Sequence, residues 1–240
     1  MSDWLKRTEL ILDNEKLGKL KNANVLVVGL GGVGAYAAEM ICRSGVGSMT
    51  IVDGDKIHPT NRNRQLAALK STEGMAKAEV MGHRIMDINP DIKLTVIQEY
   101  IKDDRMIDVI DKGFDYVVDA IDTLSPKIFL IYHTLQRKLP LVSSMGAGGK
   151  FDPIKVSISD ISETTDCFLA RILRKRLHRL GIRDGFTAVY SPEVIDKEKV
   201  IVTNRERNKA SIVGTISYMP ASFGIACASV VIRDLAGIPR

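Results

Sequence analysis

"NVLVVGLGGVGAYAAEMICRSG", residues 24–45, decides the fold. An apolar run from Asn24 to Val28 stops at Gly29, and apolar residues then recur at helical spacing through Ala35, Ala38, Ile41 and Cys42. The pattern predicts a strand, a tight turn and a helix. Gly29, Gly31 and Gly34 stand at Gly-x-Gly-x-x-Gly spacing on that turn, and Gly32 adds a further residue without a side chain. Such a turn lets backbone N–H groups and the positive end of the helix come close to phosphate. In isolation the spacing is a weak signal. Between a strand and a helix it makes a merely tight turn the poorer reading.

The same alternation continues outward. "SMTIVDGD" reads as a second strand, "AKAEVMGHRIMDINP" as a helix stopped by Pro90, and "KLTVIQEYI" as a third strand. "DYVVDAID", a helix through "PKIFLIYHTLQRK" and "LPLVSSMG" follow. Strands separated by helices predict an α/β fold, a Rossmann-like, mainly parallel sheet flanked by helices with right-handed crossovers. We divide the chain as one unit over 1–240: an N-terminal helical segment at 1–22, a nucleotide-binding core at 23–146 and a substrate-side crossover and closing segment at 147–240. That last part is expected to hold a basic helix and an apolar strand–helix segment.

With 45% apolar and 26% charged residues among 240, the chain can bury a substantial core. Three cysteines, Cys42, Cys167 and Cys227, make no Cys-x-x-Cys pair, so neither a disulfide framework nor a zinc site is expected. A reducing cytoplasm fits this usage best. "MSDWLKRTEL" lacks the basic-then-apolar layout of a signal peptide. The uncharged stretch from Ala210 to Ile232 is long enough to span a bilayer, but its Pro220, four serines and two glycines suit a strand entering a buried helix better than membrane association. A net charge of +5 admits an anionic partner without demanding one.

Residues 60–69, "TNRNRQLAAL", separate this chain from a nicotinamide-dependent dehydrogenase. A dinucleotide needs its pyrophosphate held, whereas a triphosphate that is to be cleaved needs charge neutralised along its length. Arg64 and Lys77 are candidate phosphate contacts, through a planar fork and a point charge respectively. Asn63 and Gln65 flank the arginine with amides. Asp53 ends the second strand 19 residues past Gly34, where a carboxylate accepts from ribose hydroxyls. Asp119 and Asp122, in "VVDAID", fall on the same sheet edge; Asp122 is the better candidate for Mg²⁺, and Asp119 for bracing the loop.

"GLGGVG", "IVDGD", "NRNRQ", "AKAE", "INP" and "VVDAID" follow one another as in the ubiquitin-activating-like adenylating superfamily of ThiF, MoeB and HesA enzymes, which the chain resembles over nearly its whole length. "PKIFLIYHTLQRKLPLVSSMGAGGKFDP", "RKRL" and "GTISYMPASFG" look like its tRNA threonylcarbamoyladenosine dehydratase branch. The resemblance implies an enzyme that adenylates the threonyl carboxylate of threonylcarbamoyladenosine in tRNA with ATP, then lets the acyl group close into a ring as AMP leaves. It implies that Gly29, Gly31, Gly32 and Gly34 line the nucleotide, that Asp53 binds ribose, and that Asn61, Arg64, Gln65 and Lys77 contact phosphates. Asp122 serves Mg²⁺, with Arg64, Lys77 and Asp122 as the catalytic set. Arg7 resembles an arginine that reaches the ATP of a partner subunit, which implies a homodimer. A sulfur-transfer protein is a further partner that the superfamily admits.

The remaining motifs have two readings each. "ARILRKRLHRLGIR" sets Arg171, Arg174, Lys175, Arg176 and Arg179 on one helix and its exit, with Leu169, Ile172, Leu173, Leu177 and Leu180 turned to the core. Under the resemblance this face contacts tRNA phosphates; without it the run reads as a solvated face. Cys167 reads first as a structural residue of the crossover, with a nucleophile as the alternative. "SSMGAGG", residues 143–149, either borders the acyl site or simply enters the crossover; in the first case Gly148→Val weakens turnover more than folding. The competing function is an activator of a small sulfur-carrier or ubiquitin-like protein, sharing the adenylation site.

Overall fold

The computed structural model describes residues 3–196, 198, 200–202 and 211–239. The chain runs α1 (Lys6–Asn22), β1 (Asn24–Val28), α2 (Gly34–Arg43), β2 (Ser48–Val52), α3 (Lys77–Ile88), β3 (Lys93–Ile97), α4 (Asp103–Ile110) and β4 (Tyr116–Asp119). It continues through α5 (Leu124–Gln136), β5 (Leu141–Ser144), β6 (Ser157–Asp160), α6 (Phe168–His178), β7 (Thr187–Tyr190), β8 (Val200–Val202), β9 (Ser211–Val213) and α7 (Tyr218–Ala236).

Seven strands form one sheet in the order β3-β2-β1-β4-β5-β7-β6, parallel except for β6 against β7. The expected α/β class holds. Alternate residues of β1 feed opposite faces: Val25 and Val27 join a cluster with α2, α3 and α7, whereas Leu26 and Val28 join one with α4, α5 and α6. Burial on both faces is why β1 reads as an unbroken apolar run. The order reverses between β1 and its neighbours β2 and β4, so the carboxyl ends of these strands open a crevice.

The closing segment is less peripheral than an extension after a core. β6 and β7 complete the main sheet, and α7 buries Met219, Phe223, Cys227 and Val231 in its principal cluster. α7 is long and apolar enough to cross a membrane, but half of its apolar window is buried. Gly224 lets it lie on α2: a Cβ there would stand 2.4 Å from the Val33 carbonyl oxygen. The expected strand before this helix exists as β9, but it pairs with β8 in a separate two-stranded ribbon. The basic helix is α6, which ends at His178 and leaves Arg179 as its cap.

Candidate active site

The glycine turn follows β1 into the crevice. Gly29 has φ +92°, and a Cβ on it would meet the Ala120 carbonyl oxygen at 2.7 Å. A Cβ on Gly34 would lie 1.7 Å from the Gly29 carbonyl oxygen, so α2 packs against the turn only without a side chain there. Gly32 also has a packing reason to be glycine, because a Cβ there would stand 2.8 Å from the Pro220 side chain of α7. Gly31 has protein no nearer than Gln65 Nε2 at 3.8 Å. Its missing side chain leaves room that the protein does not use.

Asp53 locks this turn to β2. One carboxylate oxygen accepts from the Leu30 N–H at 2.6 Å and the other from the Asp55 N–H at 2.7 Å. Burial pushes its pKa up, against the opposing pull of Lys77 and these two N–H groups. Asp53 therefore shapes the loop as well as offering remaining lone pairs to a ligand.

The polar stretch 60–65 stands across the crevice as a turn, its Arg64 and Gln65 N–H groups donating to the Asn61 carbonyl at 3.1 and 2.9 Å. Asn61 Oδ1 accepts from the His58 N–H at 3.0 Å, which leaves the Asn61 amide nitrogen for other partners. Arg64 Nη1 donates to the Thr60 carbonyl at 3.0 Å and to Asn63 Oδ1 at 2.8 Å. Gln65 Oε1 is buried without a hydrogen-bond partner, while the Nε2 of the same side chain is the atom that faces the empty side of Gly31. An orphaned acceptor in such a place fits a ligand that brings a donor. Lys77, buried at the start of α3, donates to Asp55 Oδ2 at 2.8 Å, and the Tyr100 hydroxyl bonds the other Asp55 oxygen.

Below the crevice a buried ion pair supports the β4–α5 loop. Lys127 and Asp119 are both 0% exposed and stand 2.7 Å apart. Asp119 also accepts from Ser143 Oγ at 2.6 Å and from the Ile121 N–H at 3.1 Å, while Lys127 donates to the Ile121 carbonyl at 3.0 Å. Asp119 is the brace, as its position suggested, and Asp122 sits exposed at the rim. Lys127 was not singled out by sequence, although a lysine inside an apolar helix soon after a strand-end aspartate is a usable signal. Asp55 was missed as well.

Other candidates fall outside the crevice or change role. Arg171, Lys175, Arg176 and Arg179 are exposed on or just past α6, but Arg174 is turned inward. Its guanidinium donates to the Thr164 carbonyl at 2.8 Å and also bonds the Thr164 hydroxyl, so it braces the turn before α6. Leu180 lies past the helix end and is exposed; Ala170, Leu173 and Leu177 make the buried face. Cys42, Cys167 and Cys227 are all buried. Burial pushes the Cys42 thiol up to about 11 and the Cys227 thiol up to about 12. A Cβ on Gly148 would meet the Val213 side chain at 3.1 Å and Thr215 Oγ1 at 3.3 Å, so valine there presses on packing as well as on any ligand. Arg7 is exposed on α1 near Leu10 and Ile11, themselves 87% and 82% exposed.

A model of the ThiF family matches residues 5–240. The chain belongs to the ThiF family. Among curated ThiF-like relatives, it is 39% identical over 98% of its length and 95% of the other chain to a protein named tRNA threonylcarbamoyladenosine dehydratase from Bacillus subtilis. A crystal structure of E. coli tRNA N6-threonylcarbamoyladenosine dehydratase in complex with ATP matches with 34% identity and a TM-score of 0.89, covering 98% of this chain and 96% of that one. The sulfur carrier protein ThiS adenylyltransferase of Escherichia coli is 30% identical, over 59% of this chain and 56% of that protein.

Proposed function

We infer that this ThiF-family chain is an ATP-dependent tRNA threonylcarbamoyladenosine dehydratase. The observation that carries the reading is the extent of the likeness: it runs through 147–240, the half that lies beyond the nucleotide crevice, to an enzyme of that name with ATP bound. A carrier-protein activator matches over a smaller share, 59% of this chain.

The residues fit ATP. Backbone N–H groups of the turn at Gly29, Gly31 and Gly34 and the start of α2 meet phosphate oxygens, and Asp53 takes the ribose. Gln65 brings its unpartnered oxygen to a donor on the nucleotide. Arg64, the Asn61 amide and Lys77 neutralise the triphosphate, with Asp55 holding the ammonium in place until it arrives. Asp122 at the rim suits Mg²⁺, which is bound through one or two carboxylates plus phosphate oxygens and neutralises charge on the departing pyrophosphate. Arg64, Lys77 and Asp122 thereby favour attack of the threonyl carboxylate on the α-phosphorus by positioning and electrostatics. Pyrophosphate leaves, and an atom of the threonylcarbamoyl-adenine itself then attacks the acyl carbon and expels AMP. The net change in the nucleoside is loss of one water. No enzyme nucleophile enters either step, which agrees with three buried cysteines and leaves no step for a sulfur-transfer partner.

Arg171, Lys175, Arg176 and Arg179 supply phosphate contacts to the tRNA without reading its sequence. The exposed Leu10 and Ile11 support a homodimer formed through α1, with Arg7 directed to the partner's nucleotide. A tRNA substrate makes the cytoplasm the working compartment. The test is purified protein with tRNA bearing threonylcarbamoyladenosine and ATP. AMP, pyrophosphate and a nucleoside lighter by one water are expected; exchange of labelled pyrophosphate that requires a Gly-Gly-ending carrier protein instead of tRNA would reassign the enzyme.

A further inference from the structure

An open pocket of about 270 Å³ adjoins the crevice, lined by Lys150, Phe151, Gly214, Thr215 and Ile216. One side chain ties it to the phosphate stretch. Asn63 Nδ2 donates to the Thr215 carbonyl at 3.0 Å, and Asn63 Oδ1 accepts from Arg64 at 2.8 Å. The pocket wall is thus two hydrogen bonds from the arginine assigned to ATP.

Its aromatic lining residue is Phe151, whose backbone is held by Tyr218 from outside the lining. Phe151 is 49% and Tyr218 42% exposed. The Tyr218 hydroxyl donates to the Phe151 carbonyl at 2.9 Å, and the Phe151 N–H donates to the Glu193 carboxylate at 3.1 Å. Lys150 lends the pocket little charge: it is buried and donates to the Glu193 carbonyl at 2.6 Å. Burial pushes its pKa down. Gly146, on the loop leading here from β5, has no atom within 4 Å of where a Cβ would sit. A flat, uncharged heterocycle matches this surface better than a phosphate does, and unstacked RNA bases bind by stacking on exposed aromatic rings.

We propose that this pocket, with Phe151 as its stacking face, receives the unpaired adenine that carries the threonylcarbamoyl group. The proposal rests on the dehydratase reading and gives it a base site. Few bonds separate that adenine from the carboxylate that must reach the α-phosphorus, so its base has to lodge beside the phosphate stretch. Asn63 makes this pocket such a neighbour. The exposed cations of α6 hold tRNA anywhere along its backbone, whereas this pocket selects which nucleotide is presented.

The test is steady-state turnover by wild type, Phe151→Ala, Tyr218→Phe and Phe151→Trp with tRNA bearing threonylcarbamoyladenosine, with melting and sedimentation measured on each. Phe151→Ala is expected to raise the KM for tRNA about tenfold or more, the worth of one stacked base, while the KM for ATP and the melting temperature stay put. Tyr218→Phe releases the Phe151 carbonyl and is expected to raise the same KM less. Phe151→Trp keeps the stacking face, should retain turnover, and its added emission should be quenched by that tRNA and not by ATP. An unchanged KM for tRNA in Phe151→Ala overturns the proposal. So does a change in its sedimenting mass, which would assign the aromatic face to contacts between copies. If the wild-type protein shows no tRNA-dependent turnover, the dehydratase reading itself fails, and the base site with it.

Discussion

Asn63 and Thr215 close the site from two distant parts of the chain: the Asn63 amide donates to the Thr215 carbonyl at 3.0 Å, while its oxygen accepts from Arg64 at 2.8 Å. One exposed asparagine therefore aligns an arginine on the ATP side with the segment leading into α7. Asn63→Ala should lower kcat about five- to tenfold, the worth of a lost aligning hydrogen bond. Stability should change little, which a urea melt would check.

Arg62 and Arg64 make a sharper contrast. Arg62 is exposed and bonds the Pro59 carbonyl at 3.4 Å, whereas Arg64 is half-buried in the crevice wall. Replacing Arg64 with alanine should cost about 10²–10³ in kcat, as removing one preorganised electrostatic group does. The Arg62→Ala enzyme should stay within about twofold of wild type, since a solvated charge beside the site is screened. Comparable losses in both variants would show that the stretch acts through general positive charge.

The buried Lys127–Asp119 pair sets the β4–α5 loop, and with it Asp122. Removing one partner leaves an unpaired charge in the core, so Lys127→Met should destabilise by about 3–5 kcal/mol in denaturant unfolding. Lys127→Met with Asp119→Leu removes both charges and should recover much of that stability. Activity should not return with it, because the Ile121 backbone is still unfixed and Asp122 loses its bearing.

Glu39, on α2, predicts the acid limb of stability. Burial pushes its pKa up, but hydrogen bonds from Arg84 and Arg43 outweigh it and hold the carboxyl below its ordinary 4.5. A depressed carboxylate stabilises the fold above its unfolded pKa and loses that contribution as pH falls through the folded value. Thermal unfolding of wild type should thus weaken below about pH 4.5, and Glu39→Gln should flatten this slope while lowering stability at neutral pH. A parallel pH profile in the variant would assign the acid limb to other groups.

The strand–turn–helix at residues 24–45 was legible because its signals are local: an unbroken apolar run, apolar residues at helical spacing and glycines at fixed offsets. The four-residue strands β6 and β7 are too short to show a period, and the charged start of α4, Asp103–Arg105, hides its apolar Met106, Val109 and Ile110. Asp53, Arg64, Gln65 and Lys77 could be named as candidates because they flank the strand ends and turns that a parallel sheet brings to one edge. Arg174 was misread because helical spacing says which face a side chain starts from, and the Thr164 carbonyl that captures it belongs to a turn ten residues earlier.

The sequence by itself determined the α/β class, the nucleotide turn and the polar stretch opposite it, since each follows from the chemistry of neighbouring residues. Tertiary structure decided which glycine faces open space and which packs on Pro220, which arginine faces water, and that Phe151, Thr215 and Asn63 share one wall. These are properties of contacts between segments far apart along the chain, and such contacts exist only once the core around α7 has closed.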